Sequence, residues 1–82
     1  MVKPTRVTND IRSLRFRQGE MTQAELAKLL GVTRQTVIAI EQGRYSPSLE
    51  MAFQIARVFA VPLDAVFQYP QSETAQSEET AS

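Results

Sequence analysis

Residues 22–43 carry the pattern that most constrains the fold of this chain. Thr22 and Glu25 form a capping box, in which the threonine oxygen accepts from the Glu25 amide and the glutamate reaches back to the cap. Ala27 supplies the small side chain that two steeply crossing helices need, and Gly31 supplies the positive φ that the turn between them needs. The spacing therefore predicts two short helices joined by a tight turn.

The second helix of this pattern is expected to begin at its N-cap Thr33 and to end near Gly43. Val32 is placed to fill the turn, while Val37 and Ile40 are placed to pack the second helix onto the first. A small residue, a glycine and two aliphatic residues at these offsets are the signature of a helix-turn-helix motif.

Capping and stop residues predict three more helices around the motif. The polar residues 8–10 begin the first helix, which Gly19 ends, while Ser48 caps a fourth helix and Pro62 begins a short fifth. Residues 67–70 form an alternating segment that favours a short terminal strand. Since short connections separate most of these elements, the sequence predicts an all-α bundle of five helices.

The predicted core is made of apolar residues at helical spacing. On the motif and the first helix they are Ile11, Leu14, Leu26, Ala27, Leu30, Val37 and Ile40. On the last two helices they are Leu49, Ala52, Ile55, Ala56, Phe59, Leu63, Val66 and Phe67. A domain of about 70 residues buries only around 60% of its unfolded surface, so self-association would add to its stability.

The residue types that the chain lacks exclude most enzymes. It has no cysteine and no histidine, so thiol nucleophiles, their metal sites and imidazole acid–base catalysis are excluded. Ser13 and Lys28 could form a dyad, but helix faces offer such pairs by chance. No apolar run approaches the roughly 20 residues of a membrane helix, and the N-terminus has no signal-peptide pattern. We expect no catalytic residues, metal, cofactor or small-molecule ligand, and no membrane association.

Charge is distributed unevenly along the chain. Residues 1–70 hold all nine basic side chains and six acidic ones, which gives +3, whereas residues 71–82 hold three glutamates and no base, which gives −3. The last segment also has no large apolar residue to offset the entropy cost of ordering. We therefore predict an N-terminal arm with a short strand over residues 1–8, a folded domain over 9–70 and a disordered acidic tail over 71–82.

Several short motifs, taken in order, resemble the DNA-binding domain of the phage Cro and repressor (XRE) family. The matching residues are Ile11, Arg12, Leu14, Arg15, 21–23, Leu26, Ala27, 31–36, Ile40, Glu41 and 47–49. Residues 45–52 and 62–68 are similar to short stand-alone bacterial regulators related to the enterococcal cytolysin repressor. An extra residue between 16 and 21 departs from the family pattern. The resemblance implies a lambda-repressor-like fold and a sequence-specific regulator of transcription that binds double-stranded DNA.

In such a domain the second helix of the motif enters the major groove with its N-terminus first. Arg34 can then donate two hydrogen bonds to guanine, Gln35 can pair with adenine, and Ile38 can contact a thymine methyl group. The alternatives are a solvated helix face for Arg34 and Gln35, and partial burial against a neighbouring helix for Ile38.

Other residues are expected to contact the DNA backbone. Gln23 stands where the family uses a glutamine to clamp a phosphate at a helix N-terminus, with the alternative of an ordinary exposed residue in a first turn. Thr33, Thr36 and Arg44 belong to the same predicted interface, near the helix ends that would face the duplex. Lys3 and Arg6 form either a basic arm or a loose tail.

The resemblance also implies a short terminal β-ribbon, one structural ion pair and a dimer. In the ribbon, a strand near residues 6–8 joins the C-terminal strand. Arg15 and Glu41 match a partly buried pair that joins the first and third helices. Two copies would read the two halves of a palindrome about one helical turn apart. Leu63, Val66 and Tyr69 are the predicted interface, with the alternative that Val66 belongs to the core of each protomer.

The function expected from these residues is a repressor that binds a palindromic operator as a homodimer, in the cytoplasm at the nucleoid. The alternative is an antitoxin or accessory protein whose main role is to hold a protein partner. Leu29, Tyr45 and the acidic tail would then serve that partner.

Overall fold

The computed structural model describes residues 5–44 and 46–70, which form five helices and a two-stranded antiparallel sheet. In chain order the elements are β1 (Thr8–Asn9), α1 (Ile11–Arg17), α2 (Gln23–Leu30), α3 (Arg34–Glu41), α4 (Leu49–Phe59), α5 (Leu63–Val66) and β2 (Phe67–Gln68). The prediction of an all-α, five-helix bundle with a terminal β-ribbon is confirmed. The expectations for Lys3, Tyr45 and the tail over 71–82 concern residues outside those described.

The ends of the motif helices form as their residue types predict. Thr22 Oγ1 accepts a hydrogen bond from the Glu25 amide at 3.0 Å, and the Glu25 carboxylate accepts one from the Thr22 amide at 2.8 Å. Gly31 ends α2 with a φ of 74°, a conformation that costs glycine little. Thr33 caps α3 by accepting from the Thr36 amide at 3.2 Å. The turn therefore reverses the chain between α2 and α3 within three residues.

The core gathers apolar side chains from all five helices. Its buried members are Ile11, Leu14, Leu26, Ala27, Val37, Ile40, Ile55, Ala56, Phe59 and Val66. Leu30, Leu63 and Phe67 are partly buried and pack against them. The prediction that Leu49 faces the core is wrong, because this first residue of α4 is 67% exposed and lines a groove at the surface.

The terminal β-ribbon closes the bundle by joining its two ends. Thr8 pairs with Gln68 and Asn9 with Phe67, and the Asp10 amide donates to the Val66 carbonyl at 2.9 Å. Both strands belong to one chain. The ribbon thus fixes the start of α1 against the end of α5.

None of the helices described within 5–44 and 46–70 is long and apolar enough to cross a membrane. The same residues contain no group of three or more acidic side chains placed to hold a metal ion.

Candidate nucleic-acid interface

The N-terminal end of α3 presents an outward arc of side chains. Arg34 and Gln35 are exposed and Ile38 is half-buried, whereas Val37 and Ile40 are buried in the core. At 3.6 residues per turn the first three fall within one 100° sector that faces away from the two core residues. The arrangement leaves one guanidinium, one amide and one aliphatic side chain side by side.

A polar cleft of about 680 Å³ adjoins this arc and is lined by residues of α1, α2 and α3. It brings Gln23 and Arg34 together with Arg12, a residue of the family motif to which the sequence analysis assigned no contact. The Arg12 guanidinium lies 5.6 Å from the centre of the exposed Phe16 ring, close enough for a cation–π contact. The spacing of four residues on a helix was the signal that could have linked these two side chains.

One buried ion pair holds α3 against α1 beside this cleft. Arg15 Nε lies 2.6 Å from Glu41 Oε2, and Arg15 Nη2 donates to Glu41 Oε1 at 3.1 Å. Arg15 Nη1 donates to the Met21 carbonyl at 2.8 Å. Each of the paired side chains is only 9% exposed. The fork geometry satisfies both carboxylate oxygens, so the pair fixes the distance between the two helices.

Gln23 is also tied into this pair. Its Nε2 donates to Glu41 Oε1 at 3.1 Å, and the side chain is half-buried. Since an amide group carries two N–H donors, one remains for another acceptor. Glu41 therefore holds both α1 and the first turn of α2 in place under α3.

The two threonines of the predicted interface already bond to each other. The hydroxyl oxygens of Thr33 and Thr36 lie 3.0 Å apart at the start of α3. Arg44 is exposed and follows the opposite end of α3, where its amide donates to the Ala39 carbonyl at 3.0 Å. The structure thus places Arg44 outside the cleft that contains Gln23 and Arg34.

The loop between α1 and α2 has two consecutive positive φ angles, 75° at Gly19 and 57° at Glu20. The Glu20 amide donates to the Phe16 carbonyl at 3.1 Å, and the Met21 amide donates to the Arg15 carbonyl at 2.9 Å. These bonds end α1 and bring the loop back to the ion pair.

Of the three predicted interface residues, two reach the surface. Leu63 is half-buried and Tyr69 is 66% exposed, and both line an apolar groove of about 630 Å³ with Leu49 and Phe67. Val66 is fully buried in the protomer. The interface prediction does not hold for Val66, because this side chain has no surface left to offer a partner.

A helix-turn-helix whose second helix exposes polar residues at its N-terminus defines the class of DNA-binding proteins that includes Cro and the phage repressors. The sequence profile of the helix-turn-helix family HTH_3 matches residues 11–66, and the chain belongs to this family. The predicted XRE-type assignment is thereby confirmed.

Related proteins carry names consistent with this family. An uncharacterised HTH-type transcriptional regulator of Methanocaldococcus jannaschii is 55% identical over 53 residues, which cover 65% of this chain and 80% of the relative. The cryptic phage CTXphi transcriptional repressor RstR of Vibrio cholerae is 36% identical over 56 residues, which cover 68% of this chain and 50% of the relative. The chain is a transcriptional regulator with a helix-turn-helix DNA-binding domain. Its family is one of DNA-binding regulators and is not a class of enzymes.

A solved structure shows the same fold. A protein of Bacteroides fragilis, provisionally named a DNA-binding protein, aligns with a TM-score of 0.66 at 21% identity. The alignment covers 76% of this chain and 98% of that protein, and at such identity the likeness concerns the fold alone.

Proposed function

We propose that the protein is a repressor that binds a palindromic operator in double-stranded DNA as a homodimer, at the nucleoid in the cytoplasm. The observation that carries the proposal is the exposed sector of Arg34, Gln35 and Ile38 at the N-terminus of a helix whose other face is anchored in the core. The name of the Vibrio cholerae relative supports repression as the direction of control.

Base recognition would fall to the exposed sector of α3. The Arg34 guanidinium suits the O6 and N7 acceptors of guanine, and the Gln35 amide suits the N6 and N7 atoms of adenine. Ile38 suits the methyl group of thymine, because its half-buried side chain still reaches the surface.

Backbone contacts would orient α3 in the groove. The candidates are Gln23 at the first turn of α2, Thr33 and Thr36 at the start of α3, and Arg44 beyond the opposite end of α3. Arg12 joins this set because it lines the same cleft as Gln23. Such contacts fix the register of the protein on the duplex without reading sequence.

Pairing of two copies would use the apolar groove beside the ribbon. Leu49 and Tyr69 expose two thirds of their surface there, next to Leu63 and Phe67. A second copy is the occupant that we propose, since one reading helix contacts too few base pairs to specify a site and a two-fold pair reads a palindrome.

The test is enrichment of duplexes from a pool with a randomised centre, at about 0.15 M salt to suppress phosphate-only binding. Wild type is compared with Arg34→Ala/Gln35→Ala. The matched control is Arg57→Ala/Gln54→Ala, which removes the same two exposed residue types from α4. We expect wild type and the control to enrich the same inverted repeat and the α3 variant to enrich none.

Failure of the wild type to enrich any duplex would refute the proposal. It would favour the alternative of an antitoxin or accessory protein that holds a protein partner. The exposed Leu29 on α2 would be one contact for such a partner, although single apolar residues are common on protein surfaces.

A further inference from the structure

Asn9 connects three parts of the molecule with one side chain. Its Oδ1 accepts a hydrogen bond from the Ile11 amide at 3.1 Å, at the first turn of α1. Its Nδ2 donates to the Ile40 carbonyl at 3.0 Å and to the Glu41 carbonyl at 3.5 Å, at the last turn of α3. The backbone of Asn9 lies in β1, where it pairs with Phe67 of β2. The same residue therefore bonds to the ends of two helices and belongs to the ribbon.

The carbonyls that Asn9 reaches are among the last four of α3, which have no partners within the helix. The Ile40 carbonyl also accepts from the Gly43 amide at 3.0 Å, so the chain beyond α3 shares the site. The side chain of Glu41 accepts hydrogen bonds from Arg15 and Gln23. The C-terminal end of α3 is thus fixed from two directions, by the ribbon and by the first two helices.

The N-terminal end of α3 carries the exposed Arg34 and Gln35. An eight-residue helix is a rod of about 12 Å, so a small tilt at its C-terminus displaces the side chains at its N-terminus. Loss of the Asn9 bonds would remove the restraint that the ribbon places on that tilt and leave the one from the first two helices. The bundle core, which holds Val37 and Ile40, would remain in place.

We propose that Asn9 is a positioning residue for DNA recognition. It sets the angle of α3 against the terminal ribbon and thereby the placement of Arg34, Gln35 and Ile38 on the bases. This role rests on the proposed function. The ribbon residues Phe67 and Gln68 line the groove proposed for the second copy. Asn9 would therefore couple the arrangement of the two copies to the orientation of α3 in each copy.

The test separates this role from ordinary stabilisation by the choice of variants. Asn9→Ser keeps a short-range oxygen that can accept from the Ile11 amide but lacks a donor that reaches α3. Asn9→Asp keeps the shape and the acceptor and loses the donor, which provides a second measurement if the serine variant folds poorly. Ile55→Val is the control, because it loosens the core at a buried position of α4 and removes none of the hydrogen bonds that Asn9 makes.

The probes are the duplex that wild type enriches from the randomised pool and a duplex from the unselected pool. Dissociation constants are measured by fluorescence anisotropy at a temperature where circular dichroism shows every variant folded. We expect Asn9→Ser to weaken binding to the selected duplex about tenfold, within the range of positional coupling effects. Binding to the unselected duplex and its salt slope should stay unchanged, because phosphate contacts are retained.

The positioning role is decided by one ratio, the dissociation constant for the unselected duplex divided by that for the selected duplex. Asn9→Asp adds a negative charge that weakens both duplexes alike, so its ratio should still fall. Ile55→Val should lower the melting temperature and leave the ratio within about twofold of wild type. A wild-type ratio in both Asn9 variants would overturn the positioning role while leaving the repressor function intact. A wild type that selects no duplex would instead overturn the repressor function and this role together.

Discussion

Arg15 of α1 and Glu41 of α3 form a two-point ion pair with 91% of each side chain removed from solvent, at 2.6 and 3.1 Å. Because Glu41 also accepts from Gln23, three helices meet at one carboxylate. A buried pair of this kind adds little net stability over an apolar core, but loss of one partner strands a charge out of water. The pair therefore makes the helix-turn-helix dependent on both residues.

Glu41→Ala is expected to lower the free energy of unfolding by about 3–5 kcal/mol, because it leaves the Arg15 guanidinium buried without its counter-charge. Urea denaturation measures this change. Arg34→Ala, which removes an exposed arginine of the same helix, should stay within about 0.5 kcal/mol of wild type. Superimposable unfolding curves for wild type and Glu41→Ala would show that the pair is not structural.

Arg34 and Arg44 are expected to differ in the kind of DNA binding that they support. Arg34→Ala should cost about 1–3 kcal/mol on the selected duplex and relax the preference at one base pair. Arg44→Ala should weaken all duplexes about equally and reduce the salt slope by about one. Anisotropy titrations at several salt concentrations measure both quantities. The assignment of reading and clamping roles would be wrong if the two variants behaved alike.

Ala60 offers a test of backbone strain outside the DNA-binding face. It ends α4 with a φ of 57°, and an alanine in this left-handed conformation is strained by about 1–2 kcal/mol. Ala60→Gly should raise the free energy of unfolding by about 0.5–1 kcal/mol, since the flexibility that glycine adds to the unfolded chain offsets part of the relief. Ala24→Gly, at an exposed position of α2, should lower it by a similar amount. Thermal unfolding of both variants gives the signs.

The elements of this fold were predictable where one residue acts on its own neighbours. Thr22 with Glu25, Thr33 and Gly31 determine helix ends through local chemistry, and the structure has each of them in that role. The prediction for Leu49 was wrong because helical spacing shows which face of α4 is apolar but not how far along that face the neighbouring helices extend.

The parts of the site that escaped prediction depend on contacts distant in sequence. Asn9 reaches Ile40 across 31 positions, and no periodicity encodes that bond. Gln23 was expected to clamp a phosphate or to be an ordinary exposed residue, and its hydrogen bond to Glu41 forms only when α2 and α3 pack together. Arg12 becomes a candidate for a DNA backbone contact only because it lines the same cleft as Gln23.

The apolar groove beside the ribbon predicts which substitutions would disrupt the proposed dimer. Tyr69→Lys and Leu49→Lys each place a charge among apolar side chains that a second copy would cover, and should shift the sedimentation mass at micromolar concentration from dimer to monomer. Leu29→Lys is the control, because Leu29 is 61% exposed on α2, away from the groove, and should leave the mass of the dimer unchanged. The monomeric variants should keep the wild-type circular dichroism spectrum and bind a half-site duplex as weakly as unselected DNA. A wild type that sediments as a monomer would refute the dimer, whereas a Tyr69→Lys variant that remains dimeric would place the interface elsewhere.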